Sequence, residues 1–142
     1  MGLDADLLVD FYGAMNRARR DPKNRALMSN QYAFLRARDT GLADPRILAQ
    51  VKWADDGPGG DGGNVVFTFH NLWKQAVAQS YFIAPEVGAA IGLNDALRYR
   101  LVDVFADKQV GACVSGADLK WDLYVSLAAE TRLQWLRLEL CY

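Results

Sequence analysis

The sequence predicts a mainly β protein: an antiparallel β-sandwich of Greek-key type preceded by one amphipathic α-helix. Three observations carry this expectation. Apolar residues recur at helical spacing near the start of the chain, and the period falls to two after about Arg36. Turn-forming residues then separate a series of short alternating runs. Together they place a helix and linker at residues 1–30 and a sandwich domain at residues 31–142.

Leu3, Leu7, Leu8, Phe11, Met15 and Ala18 follow each other at spacings of three and four, the stripe of an amphipathic helix. Asp4, Asp6 and Asp10 lie toward its start and Arg17, Arg19 and Arg20 toward its end, an order that complements the helix dipole. Pro22 blocks easy continuation. The polar stretch Lys23 to Asn30 suits either a short helical turn or a plain linker.

Tyr32 to Arg36 is the first strand candidate, and Asp39 to Pro45 is turn chemistry. In the run Ile47 to Trp53, Ile47, Ala49, Val51 and Trp53 share one face, while Arg46, Gln50 and Lys52 share the other. Asp55 to Gly63 holds five glycines and one proline, which suits a loop between two neighbouring strands. A phosphate-cradling loop would need a Lys-Ser/Thr pair and a helix after it, and neither follows.

Val65, Phe67 and Phe69 line one face of the next strand, opposite Thr68 and His70. Val77 to Ile83 is a further strand, and Pro85 to Leu93 a helical turn ended by Gly92. Leu97 to Phe105 switches face midway, as a bulge or a strand covered on both sides would. Lys108–Val110, Leu123–Leu127 and Thr131–Leu140 complete the strands. Val65, Phe67, Phe69, Leu101 and Leu136 are the expected core.

At 142 residues the chain fits one domain with a core of its own. Sixteen basic and seventeen acidic side chains leave a net charge of −1, which gives no electrostatic reason for nucleic acid or an anionic membrane as partner. No apolar run reaches the roughly 20 residues of a membrane span, and no secretory signal pattern opens the chain. Cys113 and Cys141 read as two free, partly buried thiols in a reducing compartment, so the expected location is cytoplasmic.

No catalytic constellation is visible. His70 is the only histidine, so a zinc site or a Cys-His pair would need long-range convergence with Cys113 or Cys141. Asp55, Asp56 and Asp61 crowd the glycine loop without the alternation of a calcium loop. Asp103, Asp107, Asp118, Asp122, Glu130 and Glu139 are scattered with no spacing that would set a glycosidase pair. Neither a metal nor a cofactor is expected. Trp53 and Trp135 lie on apolar strand faces and read as core. Trp73 and Trp121 lie in or beside turns, and as exposed rings they are the candidate carbohydrate-binding residues.

The order of the elements resembles the end of the α-amylase superfamily, glycoside hydrolase family thirteen. Leu7-Leu8-Val9-Asp10-Phe11-Tyr12 running to Arg17-Ala18-Arg19-Arg20-Asp21-Pro22 resembles that family's last barrel helix. Asp44 to Val51, Asn64 to Leu72 and Tyr99 to Phe105 resemble successive strands of its C-terminal domain, and Lys120-Trp121 suits the short strand after them. The spacing is most similar to the maltosyltransferase and trehalose-synthase types. The resemblance implies a non-catalytic accessory domain that supports a (β/α)8 barrel, since that family's catalytic carboxylates sit on barrel strands and map to no residue here. It implies the barrel as partner and an α-glucan as a further one. A stand-alone glycan-binding module is the alternative. Deprived of barrel strands, the Leu3/Leu7/Leu8/Phe11/Met15 stripe would fold back onto the sandwich or pair with a second copy as a homodimer.

Overall fold

A computed structural model of the chain describes residues 5–54, 64–129 and 133–141, with side chains from residue 12 onward. The expected amphipathic helix is α1 (Ala5–Arg20). Leu3, the side chains of Leu7, Leu8 and Phe11, the glycine-loop carboxylates Asp55, Asp56 and Asp61, and Glu130 all lie outside the described residues. Met15 and Ala18 do not: they fold back onto the sandwich.

After α1 the chain turns at Asp21, whose carboxylate accepts the Lys23 N–H and caps a 3-10 helix, Pro22–Met28. The polar stretch is therefore a helical turn, and a partly buried one, with Asn24, Ala26 and Leu27 inward.

Nine strands follow among the described residues. They are β1 (Tyr32–Phe34), β2 (Arg36–Ala37), β3 (Ile47–Trp53), β4 (Val65–Asn71), β5 (Val77–Phe82), β6 (Arg98–Asp103), β7 (Lys108–Ser115), β8 (Leu123–Leu127) and β9 (Leu133–Leu140). A large sheet runs β1-β3-β4-β9-β6-β7, and a small one β2-β5-β8. Every pairing is antiparallel. The sandwich expected from the sequence is the fold observed.

The two-residue period does most of this work. Ile47, Ala49 and Val51 of β3 and Val65, Phe67 and Phe69 of β4 turn inward in register, with Val51 opposite Phe67 and Ala49 opposite Phe69. From the small sheet, Val77, Tyr81, Leu123, Val125 and Leu127 meet them. Burial of each large side chain here contributes about 1.5–3 kcal/mol. Of the five expected core residues, Val65, Phe67, Phe69 and Leu136 are buried, and Leu101 packs half-buried at the edge of the cluster.

A second apolar cluster lies on the other side of the large sheet. Val66, Val104 and Trp135 face outward there, and Ala18, Ala26 and Leu27 of α1 and the 3-10 helix cover them. This is why Thr68 is buried although it points away from the main core.

The structure corrects three readings. Tyr32 to Arg36 is not one strand: the chain crosses between sheets at Leu35, so β1 joins the large sheet and β2 the small one. Lys120-Trp121 is not a strand but the last turn of helix α3 (Gly116–Trp121), capped by the Ser115 hydroxyl accepting from the Asp118 N–H. Cys113 and Cys141 are not free thiols. They form a disulfide that ties edge strand β7 to the end of β9, across the intervening β6.

Two further expectations take definite form. Helix α2 (Pro85–Ala90) is followed by Gly92 in the left-handed region (φ 72°). The phase switch in β6 is a bulge: Tyr99 and Leu101 oppose Val114 and Val110, so the surplus residues sit on β7, with Gly111 at φ 75°.

Candidate functional site

The polar residues raised by the sequence nearly all have structural partners. His70, half-buried on β4, accepts a hydrogen bond from the Trp135 indole (3.3 Å), and burial holds its pKa below the ordinary value. With both sulfurs in the disulfide, no Cys-His pair forms. Among the described residues no three His, Cys, Asp or Glu side chains converge on a metal position.

Of the scattered carboxylates, Asp103, Asp107, Asp122 and Glu139 have partners among the described residues. Asp103 accepts the N–H groups of Phe105 and Ala106 and closes the β6–β7 turn. Asp118 lies in the first turn of α3. Glu139 binds Arg100 and Arg137. Burial alone would raise its pKa, but the two guanidiniums outweigh that and lower it. Arg137, 3% exposed, also donates to Asn24 (3.0 Å) and to Asp107 (3.1 Å). Arg100, Asp107, Arg137 and Glu139 line a polar groove of about 590 Å³ between the 3-10 helix and β6, β7 and β9.

The two candidate carbohydrate-binding tryptophans are both exposed, as expected, but their surroundings differ. Trp73, 41% exposed, follows β4 and its N–H donates to the Asn71 side chain. The Arg46 guanidinium lies 5.4 Å from its ring centre. Asp44 fixes that guanidinium through two hydrogen bonds and receives a third from Gln79. The Arg46 bonds hold the Asp44 carboxyl well below the usual carboxylate range. Trp73 lines none of the cavities described here.

Trp121 is 64% exposed at the end of α3. The Arg38 guanidinium stacks 4.4 Å from its ring centre and reaches Asp122 at 3.4 Å. The indole forms one wall of an open groove of about 510 Å³ between α2 and α3. Ile83, Pro85 and Leu93 supply its apolar surface, and Asp95 and Lys120, ion-paired at 2.5 Å, its polar groups. Of the two tryptophans, then, one wall of a cavity is built from Trp121 and none from Trp73.

Sequence reasoning missed Asp95 and Lys120 in this groove and Arg38 stacked on its tryptophan. They approach only because β2 pairs with β5 and α3 packs beside β5, neither of which has a local signature. The Asn94-Asp95 turn ahead of β6 was the one available cue.

No family model matches the chain, and no curated protein matches it. Among solved structures, the fold is similar to part of a Bacillus halodurans protein described as a candidate α-N-acetylgalactosaminidase. The TM-score is 0.50 at 12% identity, over 84% of this chain and 23% of that one. This chain thus spans about a quarter of that protein's length.

Proposed function

We propose that this chain is a non-catalytic accessory β-domain of a carbohydrate-active enzyme, stabilising a neighbouring catalytic domain. The observation that carries the reading is the pattern of structural likeness. Most of this chain superposes on less than a quarter of a larger protein described as a glycosidase. The partnering of Asp103, Asp107, Asp122 and Glu139 supports it too, because a glycosidase needs two carboxyl groups free to face a sugar.

An α-amylase-type parent is the finer form of this proposal. It rests on the order of the motifs, and three of the quoted segments coincide with β3, β4 and β6. The Lys120-Trp121 segment departs from it, being helical. The cytoplasmic location expected from free thiols loses its support with the disulfide, which persists where the surroundings are oxidising.

The test is the mass of the polypeptide in its native source. An antibody raised against this domain should detect a species far larger than 15.8 kDa, able to cleave or transfer glycosidic bonds. The domain alone should release no sugar from maltose, maltooligosaccharides or starch. Detection of only a 15.8 kDa species, or turnover by the purified domain, overturns the reading.

A further inference from the structure

We propose that the groove walled by Trp121 binds one or two pyranose units of an uncharged glycan. This goes beyond the accessory role and does not depend on it, since either a free module or a tethered domain could hold sugar there.

A pyranose ring presents an apolar C–H face and a rim of hydroxyls, so its site needs an aromatic plane beside paired donors and acceptors. The groove has both. Arg38 stacks on the indole, 4.4 Å from its centre, and is not among the residues that line the groove. Asp122 in turn anchors Arg38. The ring plane is thereby fixed before any ligand arrives, which lowers the ordering cost of binding.

The polar side is equally specific. Lys120 Nζ donates one of its three protons to Asp95 Oδ1, leaving two for ligand hydroxyls. Asp95 Oδ2 accepts no hydrogen bond among the described residues, and the side chain is 66% exposed. Donor and acceptor are thus both available on adjacent atoms. Because the pair is neutral overall, the groove offers a carboxylated or sulfated sugar no net attraction. Pro85, with the largely buried Ile83 and Leu93, adds apolar lining to the groove.

Trp73 serves as the internal control. It is also exposed and also capped by an arginine, but it is not among the residues lining the five grooves found among the described residues.

The full chain is titrated with maltoheptaose, cellohexaose, chitohexaose and polygalacturonate, followed by tryptophan fluorescence and calorimetry. Saturable binding of at least one uncharged oligosaccharide is expected. Trp121→Ala should weaken it by about tenfold or more, and Asp95→Ala by several-fold, while Trp73→Ala changes it by less than about twofold. Trp121→Tyr, which keeps a ring, should recover part of the loss. Dichroism and melting confirm that each variant is folded, which an exposed tryptophan should allow. Failure of every uncharged oligosaccharide to bind overturns the proposal, as does preferential binding of polygalacturonate or binding indifferent to Trp121→Ala. None of these outcomes bears on the mass of the native polypeptide, so the accessory-domain reading stands or falls separately.

Discussion

Reduction of the Cys113–Cys141 bridge is the sharpest perturbation the fold offers. The disulfide closes a loop of sequence separation 28, which contains the end of β7 and all of α3, β8 and β9. In the chain-entropy account, cross-linking a loop of that size removes roughly 12 cal/mol/K from the unfolded ensemble, or about 3.6 kcal/mol at 25 °C. Unfolding entropy near the midpoint scales with length, so for a chain of this size that corresponds to a fall in Tm of roughly 12 °C. The bridge also restrains β7, an edge strand whose residues from Lys108 to Ala112 are exposed. Thermal melts followed by far-ultraviolet dichroism, with and without a phosphine reductant, measure the effect. Cys113→Ser/Cys141→Ser should melt with the reduced protein and ignore the reductant. A shift below about 3 °C on reduction would refute the reasoning, because the unfolded state would then not be constrained by the bridge.

Three further perturbations test the packing. A Cβ on Gly116 would lie 2.1 Å from the backbone oxygen of Asn94, so Gly116→Ala should cost about 3 kcal/mol in a denaturant melt. Gly88→Ala should instead stay within about 1 kcal/mol of the native protein, because it meets only the far end of the Lys120 side chain and gains helix propensity. The Tyr81 hydroxyl is buried without a hydrogen-bond partner among the described residues, so Tyr81→Phe should stabilise the protein by about 1 kcal/mol; destabilisation would mean a partner exists. His70 has its pKa lowered by burial, so the folded state prefers it neutral and the unfolded state binds the proton more readily. Stability should therefore be intact above the unfolded pKa of about 6.5 and decline as pH falls through the lower folded value. His70→Gln should flatten that decline, measured as Tm between about pH 8 and pH 5. Asp44 and Glu139, whose pKa values are lowered, act in a separate window: their stabilisation is present above about pH 4 and lost only in stronger acid.

The fold was legible where burial has a simple period. Ile47/Ala49/Val51 and Val65/Phe67/Phe69 alternate cleanly because one face of the large sheet meets the main core. Legibility failed where a second layer intervenes. Val66 and Thr68 are buried because α1 and the 3-10 helix cover the outer face, and that docking leaves no alternating signature. The strand break at Leu35 was hidden for another reason: a chain that changes sheets keeps its extended conformation and alternation. α3 was mistaken for a strand because Lys120-Trp121 was read without its cap at Ser115, five residues before Lys120. The disulfide was out of reach, since pairing of two cysteines depends on β6 lying between β7 and β9. The exposure of Trp73 and Trp121 could be read from neighbouring turns, but the groove beside only one of them could not.

The buried polar network on the large sheet bears on how such a domain could serve a neighbour. Arg137 loses its hydration on β9 and instead donates hydrogen bonds to Glu139, Asn24 and Asp107. An apolar side chain of similar volume often does as well for stability at such a position, so the value of the network lies more in geometry. Asn24 is the joint: its Nδ2 donates to the Ala18 carbonyl at the end of α1, while its Oδ1 accepts from Arg137. Lys52 adds a bond to the Leu27 carbonyl, and Arg25 one to Asn64. Helix, 3-10 turn and sheet are therefore locked by directional bonds as well as by the contacts of Met15, Ala18 and Trp135. An element attached through α1 would be held at a fixed angle to the sandwich. Among the described residues, none of α1, the 3-10 helix or the large sheet lines the Trp121 groove. Attachment on one side thus leaves the sugar-sized groove open on another, which is the arrangement an accessory domain needs if it is to hold an enzyme and its glycan together.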